Sequence, residues 1–194
     1  MMKIAILALQ GAFAEHAGML ARLDAASYLI RKPGDWQADT DGLILPGGES
    51  TVMGKLLAET GLLAELKILI EQGLPVFGTC AGMILLANRI EGQDNRYFGV
   101  LDAAVRRNAY GRQLGSFTAE NHFAGVGTVP MVFIRAPYVA DVGPGAEVLA
   151  VVRHHVAAVR QNHILAVSFH PELTEDTRIH EYFLTMIQTI KDKG

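Results

Sequence analysis

The chain has 194 residues, of which 50% are hydrophobic and 19% are charged, a composition that excludes global disorder and allows a large buried core. Its formal net charge of -3 provides no basic surface for nucleic acid, and its single cysteine excludes a disulfide scaffold and suits a reducing compartment. The first apolar run ends at Leu9 and is too short to cross a bilayer, so we expect a cytoplasmic protein that binds neither nucleic acid nor membranes.

Strand-like and helix-like segments alternate through the first half of the chain. Apolar runs with little polar alternation predict strands at 3–9, 27–32, 42–45 and 75–80. Apolar residues at helical spacing predict helices at 12–24, 51–73 and 81–90, the second of them broken at Gly61. Strands that are apolar on both sides are typical of a parallel sheet that helices cover on both faces.

The second half of the chain has a different pattern. Shorter apolar segments separated by turns, between residues 97 and 171, predict a mixed or antiparallel extension of the sheet. A closing helix is predicted over 180–193, where apolar residues recur at helical spacing. The sequence contains no internal repeat and no long linker, so one α/β domain over residues 1–194 is the expected organisation.

The only cysteine, Cys80, lies in the stretch Gly-Thr-Cys-Ala-Gly at 78–82, where the fourth strand is expected to give way to a helix. A nucleophile at such a sharp turn adopts a strained backbone conformation, so its neighbours must lack bulky side chains. The turn would expose the sulfur at the carboxyl end of the sheet, where backbone N–H groups of the next helix can stabilise an oxyanion. Because a lone cysteine is also commonly buried and inert, the pattern predicts a nucleophile only if a base lies nearby.

The best candidate for that base is His170, which ends the apolar run 164–169 and is followed by Pro171 and Glu172. Proline favours an extended conformation for the residue before it, which would place the His170 and Glu172 side chains on the same side. A carboxylate in that position can hold an imidazole in the tautomer that accepts a proton from sulfur. The alternative is a surface histidine beside a helix-capping turn, which does not explain why a cysteine and a histidine both follow strands.

A glycine-rich turn follows the third strand, in the sequence Leu-Pro-Gly-Gly-Glu-Ser at 45–50. Consecutive glycines allow backbone N–H groups to point at an anion or to complete an oxyanion hole. The turn therefore predicts a third component of the same site.

Two other patterns in the sequence do not lead to a site. The stretch at 47–55 resembles a phosphate-binding loop, but Glu49 occupies a position that must be glycine. The histidines His154, His155 and His163 do not have the spacing of a zinc site. We therefore expect neither a metal nor another cofactor.

The three motifs, in this order along the chain, resemble those of the class I glutamine amidotransferases, also called triad glutaminases. Within that family, further segments resemble the glutaminase subunits of pyridoxal 5′-phosphate synthase, from the first strand to the last helix. Those segments are 9–16, 43–51, 77–84, 106–113, 132–137 and 168–178. The resemblance implies a three-layer, flavodoxin-like α/β sandwich with a central, mostly parallel sheet and an antiparallel extension.

The resemblance also implies roles for individual residues. Cys80 would attack the side-chain amide of L-glutamine to form a thioester, His170 would carry the proton to the leaving ammonia, and Glu172 would orient His170. The other family positions would contact the substrate or the oxyanion: Gly47, Gly48, Glu49, Ser50, Ala81, Arg107, Ile134 and Arg135. An arginine suits the α-carboxylate of glutamine because its fork of donors meets two oxygens, although Arg107 could also form an ordinary surface salt bridge.

The family further implies a partner, the synthase subunit, which receives the ammonia through a protected route and builds pyridoxal 5′-phosphate. Gln10, Gly11 and the first helix are the expected docking surface and gate, and glutaminase activity is expected to be weak until the synthase binds. Two alternatives are a glutaminase that serves anthranilate or nucleotide biosynthesis, and a non-catalytic domain on the same scaffold. The first would lack the segments at 9–16 and 168–178, and the second would lack the thiol, the imidazole or the carboxylate.

Overall fold

One large β-sheet runs through the molecule. The computed structural model describes residues 1–108 and 115–193. The strands in these ranges are β1 Lys3–Leu7, β2 Ala26–Ile30, β3 Gly42–Leu45, β4 Val76–Thr79, β5 Ala87–Ile90, β6 Leu101–Arg106, β7 Ser116–Phe123, β8 Gly127–Ile134, β9 Tyr138–Val142, β10 Glu147–Val152, β11 His155–Gln161 and β12 Ile164–Val167. The α-helices in them are α1 Phe13–Arg22, α2 Ser50–Thr60, α3 Leu62–Glu71, α4 Ala81–Leu86 and α5 Arg178–Lys191.

The sheet has a parallel part and an antiparallel part. Its strand order is β2-β1-β3-β4-β12-β11-β9-β6-β5, with β10 paired to β11. The strands from β2 to β12 pair in parallel and, taken in chain order, follow the 2-1-3-4-5 arrangement of flavodoxin-like folds. Beyond β12 the sheet continues through antiparallel pairs as far as β6, and β7 and β8 form a separate hairpin. The predicted parallel sheet with an antiparallel extension is confirmed.

Helices cover both faces of the parallel strands. Successive residues of a strand point to opposite faces, so Leu43 and Leu45 pack with the apolar residues of α2, α3 and α4, whereas Ile44 packs with those of α1 and α5. All three side chains are fully buried. Each such burial stabilises the fold by roughly 1.5–3 kcal/mol before the cost of ordering the chain is counted. The three layers implied by the family resemblance are therefore present.

The prediction of one helix over 81–90 is wrong. Helix α4 ends at Leu86, because Ala87 has an extended ψ of 141°, and residues 87–90 form β5 beside β6. Asn88 donates a hydrogen bond from Nδ2 to Asp102 Oδ1 at 3.1 Å, and Ile90 is buried in the core. Asparagine and the β-branched isoleucine are weak helix formers, so pairing with β6 outweighs the helical pattern.

The remaining helices agree with the sequence pattern. Gly61 adopts the left-handed conformation, with φ of 81°, and separates α2 from α3 as predicted. Helix α5 packs on the sheet through Phe183, Met186 and Ile187. Among the described residues, no helix is long and apolar enough to cross a membrane.

The parallel arrangement brings distant parts of the sequence to one edge of the sheet. Strands β1, β3, β4 and β12 are neighbours, and parallel strands end at the same edge. The segments that follow them begin at Ala8, Pro46, Cys80 and Ser168. All three sequence motifs therefore meet at this edge.

Candidate active site

Cys80 lies at the sharp turn between β4 and α4. Its φ of 48° and ψ of −101° form a conformation that residues with a side chain rarely adopt. The Cys80 N–H donates to the carbonyl oxygen of Val167 at 2.8 Å, which ties the turn to the neighbouring strand β12. Backbone strain of this kind at a non-glycine residue is typical of a nucleophile held at a strand-to-helix turn.

The glycines on either side of Cys80 allow two pieces of backbone to touch. A Cβ atom built on Gly82 would lie 3.1 Å from the Cβ of Leu45 and closer still to the Leu45 carbonyl group. A Cβ built on Gly78 would lie 2.7 Å from the carbonyl carbon of Gly82. Side chains at these positions would therefore push α4 away from β3 and β4 and move the turn that carries the thiol.

His170 and Glu172 form a buried, hydrogen-bonded pair next to this turn. The backbone N–H of His170 donates to the Val132 carbonyl oxygen at 2.8 Å. In its side chain, Nδ1 lies 2.6 Å from Glu172 Oε1. The two side chains meet as predicted, but they do so through a single 3₁₀ turn at residues 171–173 and not through an extended His-Pro-Glu stretch. Proline suits the first position of such a turn, since its φ is already fixed near the helical value.

The surroundings of His170 favour its protonated form. Burial lowers the pKa of the imidazole, but its contacts with the Cys80 and Glu172 side chains outweigh burial and raise the pKa to about 10. At neutral pH the ring therefore carries a positive charge between the sulfur and the carboxylate. An imidazolium in this position can later donate a proton to a leaving group.

A cavity of about 570 Å³ opens above Cys80 and His170. The predicted residues Gly47, Gly48, Glu49, Ser50, Arg107, Ile134 and Arg135 line it together with these two. The remaining two predicted residues lie just outside the wall: Glu172 behind His170, and Ala81 at the start of α4. The wall also contains residues for which no substrate contact was predicted: Gln10, Gly11, Ala12, Ile84, Asn108 and Leu173. Most of the motif at 106–113 lies outside the described residues, which resume at 115.

The glycine-rich turn packs against the loop after β1 and against the imidazole. The Gly47 carbonyl oxygen accepts a hydrogen bond from the Ala12 N–H at 3.0 Å, and the Glu49 N–H donates to Gln10 Oε1 at 2.7 Å. A Cβ built on Gly47 would lie 2.8 Å from His170 Nδ1. The turn, the loop at residues 10–12 and the His170 ring therefore determine one another's positions.

One wall of the cavity carries a pair of opposite charges. Glu49 caps α2 by accepting from the Thr51 and Val52 N–H groups at 3.3 and 2.8 Å, and Arg107 Nη2 lies 2.9 Å from Glu49 Oε1. Burial raises the pKa of the Glu49 carboxyl, but the backbone hydrogen bonds and the nearby Arg107 lower it overall. The wall thus presents a carboxylate beside a guanidinium, and the salt bridge considered as the alternative role of Arg107 is formed.

The end of β8 contributes backbone groups and a second arginine to the lining of the cavity. The Ile134 carbonyl oxygen lies 3.9 Å from Cys80 Sγ, so this carbonyl is beside the sulfur. Arg135 has a positive φ of 44°, and its N–H donates to the Gly115 carbonyl oxygen at 2.6 Å. These contacts place the end of β8 beside the cavity.

Sequence reasoning missed two buried histidines behind Glu172. His16 in α1 and His180 in α5 have no exposed surface, and both lie on the apolar faces of their helices. Helical spacing could have revealed their burial, since His16 lies one turn before Leu20 and His180 lies one turn before Phe183. It could not have revealed that His16 lies beside the Glu172 carboxylate or that His180 contacts His16.

Comparison with known proteins gives concordant matches. The model of the SNO glutamine amidotransferase family matches residues 6–189. A protein of Bifidobacterium longum named pyridoxal 5′-phosphate synthase subunit PdxT is 57% identical over 187 residues, which cover 93% of this chain and 98% of that protein. Its namesake in Streptococcus pneumoniae D39 is 54% identical over 188 residues, covering 95% and 97%. A crystal structure described as a glutamine amidotransferase superimposes with a TM-score of 0.91 at 46% identity, covering 95% of this chain and 98% of that one.

Proposed function

Because the chain belongs to the SNO glutamine amidotransferase family, we propose that it hydrolyses L-glutamine to L-glutamate and ammonia, and that it delivers the ammonia to the synthase subunit of a pyridoxal 5′-phosphate synthase. The observation that supports the chemistry most directly is the meeting of a strained Cys80 with the buried His170–Glu172 pair at one cavity. The names of the Bifidobacterium and Streptococcus relatives support the choice of synthase.

In the first half of the proposed reaction, Cys80 attacks the side-chain amide carbon of glutamine. The Cys80 sulfur, as thiolate, forms the C–S bond, and the carbonyl π electrons move onto oxygen to give a tetrahedral oxyanion. The His170 imidazolium donates its proton to the amide nitrogen, and the C–N bond breaks. Ammonia departs, and the substrate remains bound to Cys80 as a thioester. Protonation before C–N cleavage is needed because an amide anion is too poor a leaving group. The raised pKa of His170 means that this proton is already in place at neutral pH.

In the second half, water replaces ammonia. The neutral His170 accepts a proton from the water as its oxygen attacks the thioester carbon, and the C–S bond then breaks to give glutamate and the thiolate. Glu172 holds Nδ1 through both steps, so the same ring nitrogen, Nε2, donates the first proton and accepts the second.

The cavity walls suit both ends of the substrate. The α-amino acid end of glutamine carries one positive and one negative charge, and it is complemented by the Glu49 carboxylate beside the Arg107 guanidinium. Arg135 and Ser50 line the same cavity and are further candidates for polar contacts. At the amide end, backbone N–H groups of the Gly47–Gly48 turn and of Ala81 are the proposed oxyanion donors.

The loop after β1 provides a route by which a partner could control the site. The Gly47 carbonyl is held by the Ala12 N–H, and Gln10 accepts from the backbone of Glu49, so movement of residues 10–12 would reorient the peptide groups of the proposed oxyanion hole. Docking of the synthase on this loop and on α1 would therefore raise a weak basal activity, a gating step rather than new chemistry. Organisation as a single domain and a cytoplasmic location stay predictions.

Ammonia release from L-glutamine tests the proposal, measured with the purified chain alone and with its synthase partner. We expect release that increases when the synthase is added and that is absent when Cys80 is replaced by alanine. No release in the presence of the synthase would refute the glutaminase assignment. Release that the synthase leaves unchanged, but that an anthranilate or nucleotide synthase stimulates, would favour the alternative amidotransferase.

A further inference from the structure

Two buried histidines lie behind the Glu172 carboxylate. His16 Nδ1 lies 2.9 Å from His180 Nε2, which joins α1 to α5. The other ring nitrogen of His16, Nε2, lies 3.1 Å from the Thr79 hydroxyl and 3.6 Å from Glu172 Oε2. His16 is thus placed between the carboxylate of the proposed triad and the residue that precedes the proposed nucleophile.

Burial keeps both imidazoles neutral. Burial lowers the pKa of His16 well below its ordinary value, and the nearby His180 and His170 lower it further. Burial also lowers the pKa of His180 to about 4. Phe77 packs edge-on against both rings, at centroid distances of 6.1 and 5.6 Å, which adds to their apolar surroundings. A neutral imidazole carries a single N–H, so each ring has one donor nitrogen and one acceptor nitrogen.

Only one assignment of these protons avoids a buried donor without an acceptor. If His180 Nε2–H donates to His16 Nδ1, then His16 carries its proton on Nε2, where it faces Thr79 and Glu172. The reverse assignment would place the His180 proton on Nδ1, which has no hydrogen-bond partner within residues 1–108 and 115–193. It would also turn a lone pair of His16 toward a carboxylate oxygen. Since a buried N–H without an acceptor is costly, the first assignment is favoured.

From this geometry we propose that His16 is a positioning residue for Glu172, and that His180 fixes the tautomer of His16. The proposal deepens the proposed function and rests on it. Glu172 Oε1 is taken by His170, whereas Oε2 is buried and has no hydrogen-bond partner in the described part of the chain. At 3.6 Å the His16 N–H acts on Oε2 as a charge–dipole attraction, which resists rotation of the carboxylate away from His170. The same N–H contacts Thr79, so one imidazole holds both the acid and the turn that carries Cys80.

A matched pair of variants tests the donor directly. In His16→Gln the amide nitrogen can occupy the place of Nε2 and donate toward Glu172, whereas in His16→Asn the shorter amide reaches only the place of Nδ1. With the synthase bound, we expect His16→Asn to lower kcat by roughly tenfold to a hundredfold with little change in the KM for glutamine, and His16→Gln to retain most of kcat. Equal losses in the two variants would overturn the proposal.

A double-mutant cycle separates positioning from general loss of structure. Cys80 is the only thiol, so its alkylation by iodoacetamide reports on the site without any glutamine turnover. If His16 acts through Glu172, the His16→Asn substitution should lower the alkylation rate when Glu172 is present. In a chain that already carries Glu172→Gln, the same substitution should change the rate by less than about twofold. Additive effects would contradict the proposal. Alkylation needs no glutamine, so a non-additive effect of the two substitutions would support the positioning role of His16 even if the chain released no ammonia. A lack of ammonia release would refute only the proposed function.

The tautomers of His16 and His180 can be measured in the unmodified chain, so this test does not depend on whether a variant folds. In ¹⁵N-histidine spectra we expect both His16 and His180 to be neutral at pH 7 with the proton on Nε2. A proton on Nδ1 of His16 would overturn the proposal.

Discussion

Replacing Gly47 with alanine is expected to displace the His170 imidazole. Gly47 does not adopt a positive φ, so alanine fits the backbone, and the obstacle is the side chain alone. The added Cβ would lie 2.8 Å from His170 Nδ1 and closer still to Cε1, whereas ordinary van der Waals contact requires 3.4–4 Å. The ring cannot easily retreat, because Nδ1 is held 2.6 Å from Glu172 Oε1.

The size of the effect follows from that displacement. The ring must move by about 0.6 Å at Nδ1 and further at Cε1, which misaligns it with either the sulfur or the carboxylate. A displacement near 1 Å at a reacting group lowers turnover by about a hundredfold. Overpacking of a filled site costs roughly 1–3 kcal/mol of unfolding free energy, which a domain of this size can tolerate.

The assay is ammonia release from glutamine with the synthase bound, together with urea unfolding of each variant. The matched control is Gly34→Ala, since Gly34 lies in an exposed turn and an added Cβ there would meet no atom within 4 Å. We expect Gly34→Ala to retain wild-type turnover and Gly47→Ala to lose about a hundredfold while remaining folded at 25 °C. Turnover of Gly47→Ala within threefold of wild type would refute the inferred packing of the ring on this glycine.

Four further predictions test other parts of the site. Cys80→Ala should release no ammonia yet still bind the synthase, and residual turnover would exclude Cys80 as the nucleophile. Glu172→Gln should lower kcat by roughly a hundredfold or more with the KM for glutamine nearly unchanged, because it removes the charge that stabilises the imidazolium; wild-type kcat would make Glu172 only structural. Arg107→Lys keeps the charge but loses the fork, so the KM for glutamine should rise about tenfold while kcat changes less, and an unchanged KM would leave Arg107 with only its salt bridge to Glu49. Burial lowers the pKa of His170, but contacts with Cys80 and Glu172 outweigh burial and raise this pKa from 6.5 to about 10. The stability that the protein gains from this proton is therefore complete below pH 6.5 and is lost as the pH rises through 10. Urea unfolding should therefore show the free-energy difference between wild type and His170→Asn shrinking over that range, and a constant difference would contradict the charge assignment.

The sequence predicted the meeting of the three motifs because parallel topology is encoded in a simple pattern. Parallel apolar strands that alternate with helices end at one edge of the sheet. The proximity of Cys80 and His170 could therefore be predicted without knowledge of any side-chain contact. Glycines were equally informative, since Gly61 ends a helix and Gly82 touches Leu45 where no other residue fits.

The sequence could not predict features that depend on side-chain contacts between distant elements. The strand at 87–90 continues a helical pattern and becomes a strand only because β6 offers it hydrogen bonds. His16 and His180 lie on apolar helix faces, where a histidine indicates burial and nothing more. His16 is separated from Glu172 and from His180 by more than half of the chain, and the three come together only when α1 and α5 pack on one face of the sheet.

The position of β12 has a consequence for the order of events during synthesis on the ribosome. This strand is the last of the described strands to be made, yet it lies in the interior of the sheet, between β4 and β11. Until it inserts, His170 and Glu172 have no fixed place and the backbone N–H of Cys80 lacks its acceptor on Val167. By the proposed mechanism, a nascent chain therefore cannot consume glutamine until β12 and the residues that follow it have emerged and folded.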